Sequence, residues 1–262
     1  MLSFAALTPH APIIIPEIGG EESKKVSKTI EAFLSLKELF CCADPETIIV
    51  ISPHGLIYPD RPNIVTASRL FGDFSDFRAP QLKYDFENDK EFLEKLERVC
   101  QKENFPLAST TSRQDLWRLD HGTLVPLYFL LQGLSIKPKI ISISYSLEPA
   151  AHQVLFGQYL FEAIQESDDK IALIASGDLS HRLITHPDSE KFDEFLIKAL
   201  RKNKPEEIVN LDPDFAESAG ECGWRSLLIL LGALSSIKYK PEVLSYEGPF
   251  GVGYAVVNFK LK

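Results

Sequence analysis

Three short runs constrain this chain most: Thr47 to Ser52 (TIIVIS), Lys139 to Ser144 (KIISIS) and Ile171 to Ser176 (IALIAS). Each is rich in β-branched residues and nearly free of charge. A strand that is apolar on both faces needs helices over both, which is the setting of a parallel sheet. The intervening sequence supplies those helices. Residues 21–40 place Val26, Ile30, Phe33, Leu34 and Leu36 among Lys and Glu, an amphipathic pattern. Residues 89–103, 149–167, 189–202, 205–211 and 221–234 read as further helices, and 122–132 as one that is apolar all round. Leu2 to Leu7 is expected to open the sheet, and 64–67 to be a weaker strand. Residues 242–246 and 253–259 close it, joined by the Gly-Pro-Phe-Gly turn at 248–251 and so antiparallel. The expectation is a single α/β domain over 1–262, with a central mixed sheet flanked by helices.

Charge narrows the function. Of 262 residues, 28 are Lys or Arg and 37 Asp or Glu, a net charge of −9. A nucleic-acid surface or a polybasic membrane patch needs clustered cations, so neither is expected. Small anionic substrates stay open, because a few basic side chains in a pocket barely alter the total. The four cysteines (Cys41, Cys42, Cys100, Cys222) form no CxxC and read as reduced thiols. Residues 1–4 lack a positive leader and the longest apolar runs fall well short of about 18 residues. A soluble, cytoplasmic protein is expected.

The histidines cluster by position. His10 follows the first strand (TPHAP), His54 the second (SPHG) and His181 a later one (SGDLSH). His121 stands at the start of the apolar helix (LDHGT). Ligands gather outside the carboxyl ends of strands in open α/β sheets, so these four imidazoles are expected at one crevice. Pro9 and Pro53 stiffen two of the turns. His152 and His186 have no such setting and read as surface residues. Two imidazoles with one carboxylate and open positions suit non-haem iron. The acid could be Glu17, Asp60, Asp120, Asp178, Glu221 or Glu247. Glu221 leads, because it is wedged among small residues in AGECGW, and Glu247 is the runner-up. Asp178 suits orienting an imidazole, and Cys222 is a rival soft donor.

The motifs TPHAPIIIPE (8–17), ISPHG (51–55), LDHGTLVPL (119–127), SGDLSH (176–181), AGECGWRSL (219–227) and SYEGPFGVGY (245–254) span nearly the whole chain. In this order they resemble the LigB family, the catalytic subunits of class III extradiol ring-cleaving dioxygenases, including its Memo-like branch. The resemblance implies Fe(II) held by His10, His54 and Glu221, with His181 as acid/base and His121 lining the pocket. Memo-like members carry a cysteine in the metal site near this point, where Glu221 and Cys222 stand side by side.

The implied activity is opening of a catechol-type ring with O2. The partners would be a small aromatic substrate and dioxygen, with a homodimer or a small second subunit roofing the pocket. Zinc could replace iron in a crystal, since it stands above Fe(II) in affinity. A Memo-like metal-binding or redox protein and a zinc hydrolase are the rival readings. Trp117, Tyr128, Trp224, Tyr246 and Phe250 could stack on a ring, and Arg182 and Arg225 could meet a substrate carboxylate.

Overall fold

Eleven strands and the helices between them are set out in the computed structural model, which describes residues 1–134 and 137–262. The strands are β1 (Leu2–Thr8), β2 (Thr47–Ser52), β3 (Asn63–Val65), β4 (Arg69–Phe74), β5 (Ala79–Glu87) and β6 (Ala108–Thr110). They continue with β7 (Leu116–Arg118), β8 (Lys139–Ser144), β9 (Ile171–Ser176), β10 (Tyr239–Glu247) and β11 (Tyr254–Leu261). Eight form one mixed sheet in the order β10-β11-β1-β9-β2-β8-β3-β6. Its centre, β1, β9, β2 and β8, is parallel. β11 runs antiparallel to β1 and to β10, as the short turn requires.

Every residue of β2 and β9 is buried, as their unbroken apolar runs demand. Alternate side chains feed two cores. Ile48, Val50, Ala172 and Ile174 pack under helices Ser27–Ala43 and His121–Leu131. Ile49, Ile51, Leu173 and Ala175 pack under helices Lys90–Lys102, Ala150–Gln165, Asp188–Arg201 and Trp224–Leu234. The helix expected to be apolar all round is buried from Gly122 through Leu130.

Three of the differences from the sequence reading stand out. The helix expected over 21–40 is 3-10 from Gly20 to Val26 and becomes regular only at Ser27, after a break at Val26 (φ −114°, ψ 31°). The helix expected from Glu221 starts at Trp224. The third is a separate sheet, β5-β4-β7, formed from half-exposed, charge-bearing segments with no continuous apolar run. It stands over the carboxyl end of the main sheet and supplies one wall of the crevice.

Candidate metal centre

Register brings the strand ends level. Thr8 pairs with Ser176, Ser52 with Ser144, and Ile51 with Ala175. The residues that follow therefore emerge side by side. His10 is buried and donates its backbone N–H to Asp178 Oδ1 (2.9 Å). Its Nδ1 lies 3.1 Å from Ser176 Oγ, and that hydroxyl donates to the Gly122 carbonyl (2.6 Å). With its proton committed, Ser176 accepts from Nδ1–H, so His10 Nε2 carries the free lone pair. That nitrogen is 3.0 Å from His54 Nε2.

The LDHG motif closes the near side. Asp120 caps helix His121–Leu131 through Thr123 N (3.0 Å) and accepts the Ser52 hydroxyl (2.5 Å), while Ser52 Oγ accepts His54 N–H (3.2 Å). A Cβ on Gly122 would lie 2.4 Å from Ser52 Oγ, so only glycine lets the helix start this close. His121, its first residue, sits 4.1 Å from the His54 ring and 5.6 Å from the His10 ring, centroid to centroid. Burial lowers all three imidazoles, and His121 is pushed down to about 4 with His54 and His10 adding. All three are neutral at pH 7, the form that binds a cation.

The far side comes from the two late motifs. Gly177 and Gly223 touch backbone to backbone; a Cβ on Gly177 would lie 2.0 Å from Gly223 Cα. This contact lets Cys222 Sγ accept Asp178 N–H (3.3 Å) and approach His10 Nε2 (3.6 Å) and His181 Nε2 (3.7 Å). Asp178 Oδ2 stands 3.9 Å from His10 Nε2 and 3.7 Å from His181 Nε2. Burial raises the Asp178 carboxyl, but His10 and His181 outweigh it and hold it below the usual range. Asp178 in turn raises His181. Burial holds the Cys222 thiol well above its ordinary value, a state that a bound cation would reverse.

Two sets of donor atoms, each within 4.8 Å of one another, result: His10, His54 and His121, and His10, Asp178 and Cys222. Atoms about 2.1 Å (N) and 2.3 Å (S) from one shared ion lie about 3 to 3.7 Å apart. The His10–His54 and His10–Cys222 separations fall in that range, so each pair can share a cation, although neither set holds His54 and Cys222 together.

Glu221 stands outside both sets. Its Oε2 takes Trp224 N–H (2.5 Å) at the head of helix Trp224–Leu234, and burial pushes it up to about 7. The other acids have structural partners: Glu247 accepts from Thr29 N and Oγ1 (2.7 Å each), Glu17 from Tyr128 (2.6 Å), and Asp60 pairs with Arg61 (2.6 Å). Trp224 donates to Ile208 O (3.0 Å) and Tyr246 to Asp193 (2.7 Å), while Phe250 lies beneath Lys25. Trp117 packs at the edge of the core. His152 stacks on Phe105 (4.5 Å), and both it and His186 are half-buried rather than surface residues.

The sequence reading missed the opposite wall. A cavity of about 350 Å³ is lined by His54, Leu119, Asp120 and His121 together with Asp73, Asp76, Phe77 and Arg118. Phe77 meets the His121 ring edge-on at 5.3 Å. Arg118 bridges Asp76 (2.9 Å) and Asp73 (3.3 Å). These residues come from β4, β7 and the turn after β4, where no motif marks them.

Comparison with known proteins gives a consistent result. The family model described as the catalytic LigB subunit of aromatic ring-opening dioxygenase matches residues 4–257. A protein of Clostridium acetobutylicum is 36% identical over 97% of this chain, which spans only 56% of that protein's length. The Escherichia coli 3,4-dihydroxyphenylacetate 2,3-dioxygenase is 24% identical, over 93% of this chain and 94% of the enzyme. A MEMO1 family protein of Methanococcus maripaludis is 28% identical, over 67% of this chain and 63% of its own length. The crystal structure of an uncharacterized Escherichia coli K12 protein shares the fold at TM-score 0.67 and 18% identity, over 97% of this chain and 98% of that one.

Proposed function

The chain belongs to the LigB family, and we propose that it opens the ring of a catechol-type aromatic with O2, using iron(II) held at His10, the residue shared by the donor sets His10–His54–His121 and His10–Asp178–Cys222. The supporting observation is the convergence of His10 Nε2 with His54 Nε2 at 3.0 Å and with Cys222 Sγ at 3.6 Å. Glu221, the acid expected as third ligand, would have to release Trp224 N–H to reach the ion. Iron(II) would supply a Lewis acid that lowers the pKa of a phenolic hydroxyl, and a redox partner for dioxygen.

The protein's own groups divide the remaining work. His181, open to solvent and backed by Asp178, would take a hydroxyl proton at Nε2 and return it after ring opening. His121, neutral at working pH, lines the cavity with Phe77 at its edge, where an aromatic ring would rest. The substrate of the Escherichia coli relative, a dihydroxyphenyl acid by its name, belongs to the class such a cavity accommodates.

Anaerobic reconstitution with Fe(II), followed by oxygen uptake and a scan for a yellow ring-fission product over a catechol panel, tests this. His181→Ala is expected to keep iron and to lose turnover by roughly a hundredfold or more. His10→Ala is expected to lose stoichiometric metal. Full metal content in His10→Ala, or unchanged turnover in His181→Ala, would overturn these roles. Cys222 favours one other reading, a Memo-like metal or redox protein without ring cleavage. Bound copper with no oxygen uptake on any catechol would select it.

A further inference from the structure

His10 Nε2 has two close neighbours that do not meet each other. His54 Nε2 lies 3.0 Å from it and Cys222 Sγ 3.6 Å. Among the described residues, no group of donors within 4.8 Å of one another includes both His54 and Cys222. Each of the two is near His10, so the long separation is the one between them. An ion bonded at about 2.1 Å to nitrogen and about 2.3 Å to sulfur reaches donors no more than about 4.4 Å apart. One cation therefore cannot take His54 and Cys222 together in this arrangement. Two seats result, His10 with His54 and His121, and His10 with Asp178 and Cys222.

The seats differ in chemistry and in setting. The first offers three imidazole nitrogens, and two of its members, His54 and His121, line the cavity of about 350 Å³. The second offers sulfur, oxygen and nitrogen, and none of its members lines that cavity. His181 Nε2 stands 3.7 Å from both Cys222 Sγ and Asp178 Oδ2, so it can join the second seat as a further donor. Imidazole suits iron(II) and nickel(II), whereas thiolate selects copper(I). Ser176 engages His10 Nδ1, which leaves Nε2 as the one free lone pair, and one lone pair serves one ion. We propose that the centre holds its cation in either of two mutually exclusive seats: a borderline divalent ion on His10, His54 and His121 beside the cavity, or a thiophilic ion on His10, Asp178 and Cys222 away from it. This rests on the crevice being a metal centre and not on ring opening. At the second seat an Sγ–metal bond replaces the Sγ–H bond, and the proton leaves to solvent. An ion there takes His10 from the first seat, so a thiophilic ion shuts the cavity-facing seat from outside the cavity.

Anaerobic titrations of the full chain with nickel(II) and with copper(I), read by affinity and by thiolate-to-metal charge-transfer absorption, test this. Wild type is expected to bind either ion, with the charge-transfer band for copper(I) alone, and copper(I) is expected to expel bound nickel(II). Loss of a ligand should cost at least the roughly 10–100-fold in affinity that loss of an outer-shell partner does. His121→Ala is expected to lose that much nickel(II) affinity and to keep its copper(I) affinity, and Cys222→Ser to do the reverse. The ion that each variant retains shows that it has folded. His10→Ala is expected to lose both. Loss of both ions in both variants would mean a single seat that uses imidazoles and thiolate together, and would overturn the proposal. So would unchanged affinity for both ions in either variant, or simultaneous binding of nickel(II) and copper(I). A wild type that binds neither ion sinks the metal centre and the two seats with it. Oxygen uptake by the iron-loaded protein on the catechol panel is scored separately. Reciprocal losses without uptake remove ring opening and leave the two seats in place, whereas uptake with a single seat removes the two seats alone.

Discussion

Asp193 shows how a buried side chain outside the crevice holds the site. From helix Asp188–Arg201 its Oδ1 accepts Ser180 N–H (2.8 Å) and its Oδ2 accepts the Tyr246 hydroxyl (2.7 Å). The loop carrying Asp178 and His181 is thereby tied to β10. Burial pushes this carboxyl from 3.8 up to about 6. The folded state thus favours the protonated form, so the contribution is full below the unfolded value and is lost as pH rises through about 6. Asp193→Asn cannot ionise, and it is expected to gain about 2–3 kcal/mol relative to wild type between pH 4 and pH 7. Parallel thermal melts across that range would reveal it; a constant difference in Tm would refute the shift. At this scale His10, His54 and His181 were legible, because a residue just past a parallel strand must emerge at the crevice, and His121 was legible as the first residue of an apolar helix. That Cys222 rather than Glu221 approaches His10 was not. Neighbours in a loop point different ways, and the start of the helix at Trp224 turns Glu221 to the backbone and Cys222 toward His10.

Close approach between elements depends on glycines whose role no local pattern reveals. Helices Ala150–Gln165 and Trp224–Leu234 cross where a Cβ on Gly157 would lie 2.0 Å from the Ile229 carbonyl oxygen, and one on Gly232 would lie 2.1 Å from that of Val154. Backbone cannot step aside cheaply. Gly157→Ala is expected to lose roughly 1–3 kcal/mol to overpacking, more than the helix-propensity gain of up to about 1 kcal/mol returns. Scanning calorimetry should show Tm lowered by several degrees, and a variant melting at or above wild type would sink the contact argument. The central, largely buried strands were readable to the residue: β2, β8 and β9 have the bounds their sequences suggested. The β5-β4-β7 sheet was not, because half-exposed strands mix polar and apolar side chains and resemble loops. The cavity wall of Asp73, Phe77 and Arg118 went with it.

For the molecule as a whole, the centre is assembled from segments far apart in the chain; His10 and Cys222 are separated by 212 positions. The donors converge only when the sheet is complete, so a cation held there would bind the folded state and stabilise it. At a hundredfold excess over Kd this is worth about 2.7 kcal/mol. Adding zinc or anaerobic iron(II) is expected to raise Tm, a chelator to reverse the rise, and His10→Ala to abolish it. A Tm indifferent to metal in the wild type would count against a metal centre here. Among the described residues no helix is long and apolar enough to cross a membrane. By itself the sequence determined the layered α/β architecture, the antiparallel closing pair and the four histidines at strand and helix ends, since burial periodicity and chain direction are local properties. Only the tertiary structure decided which donors face one another and what walls the cavity, because these depend on distances between residues that the chain brings together from remote segments.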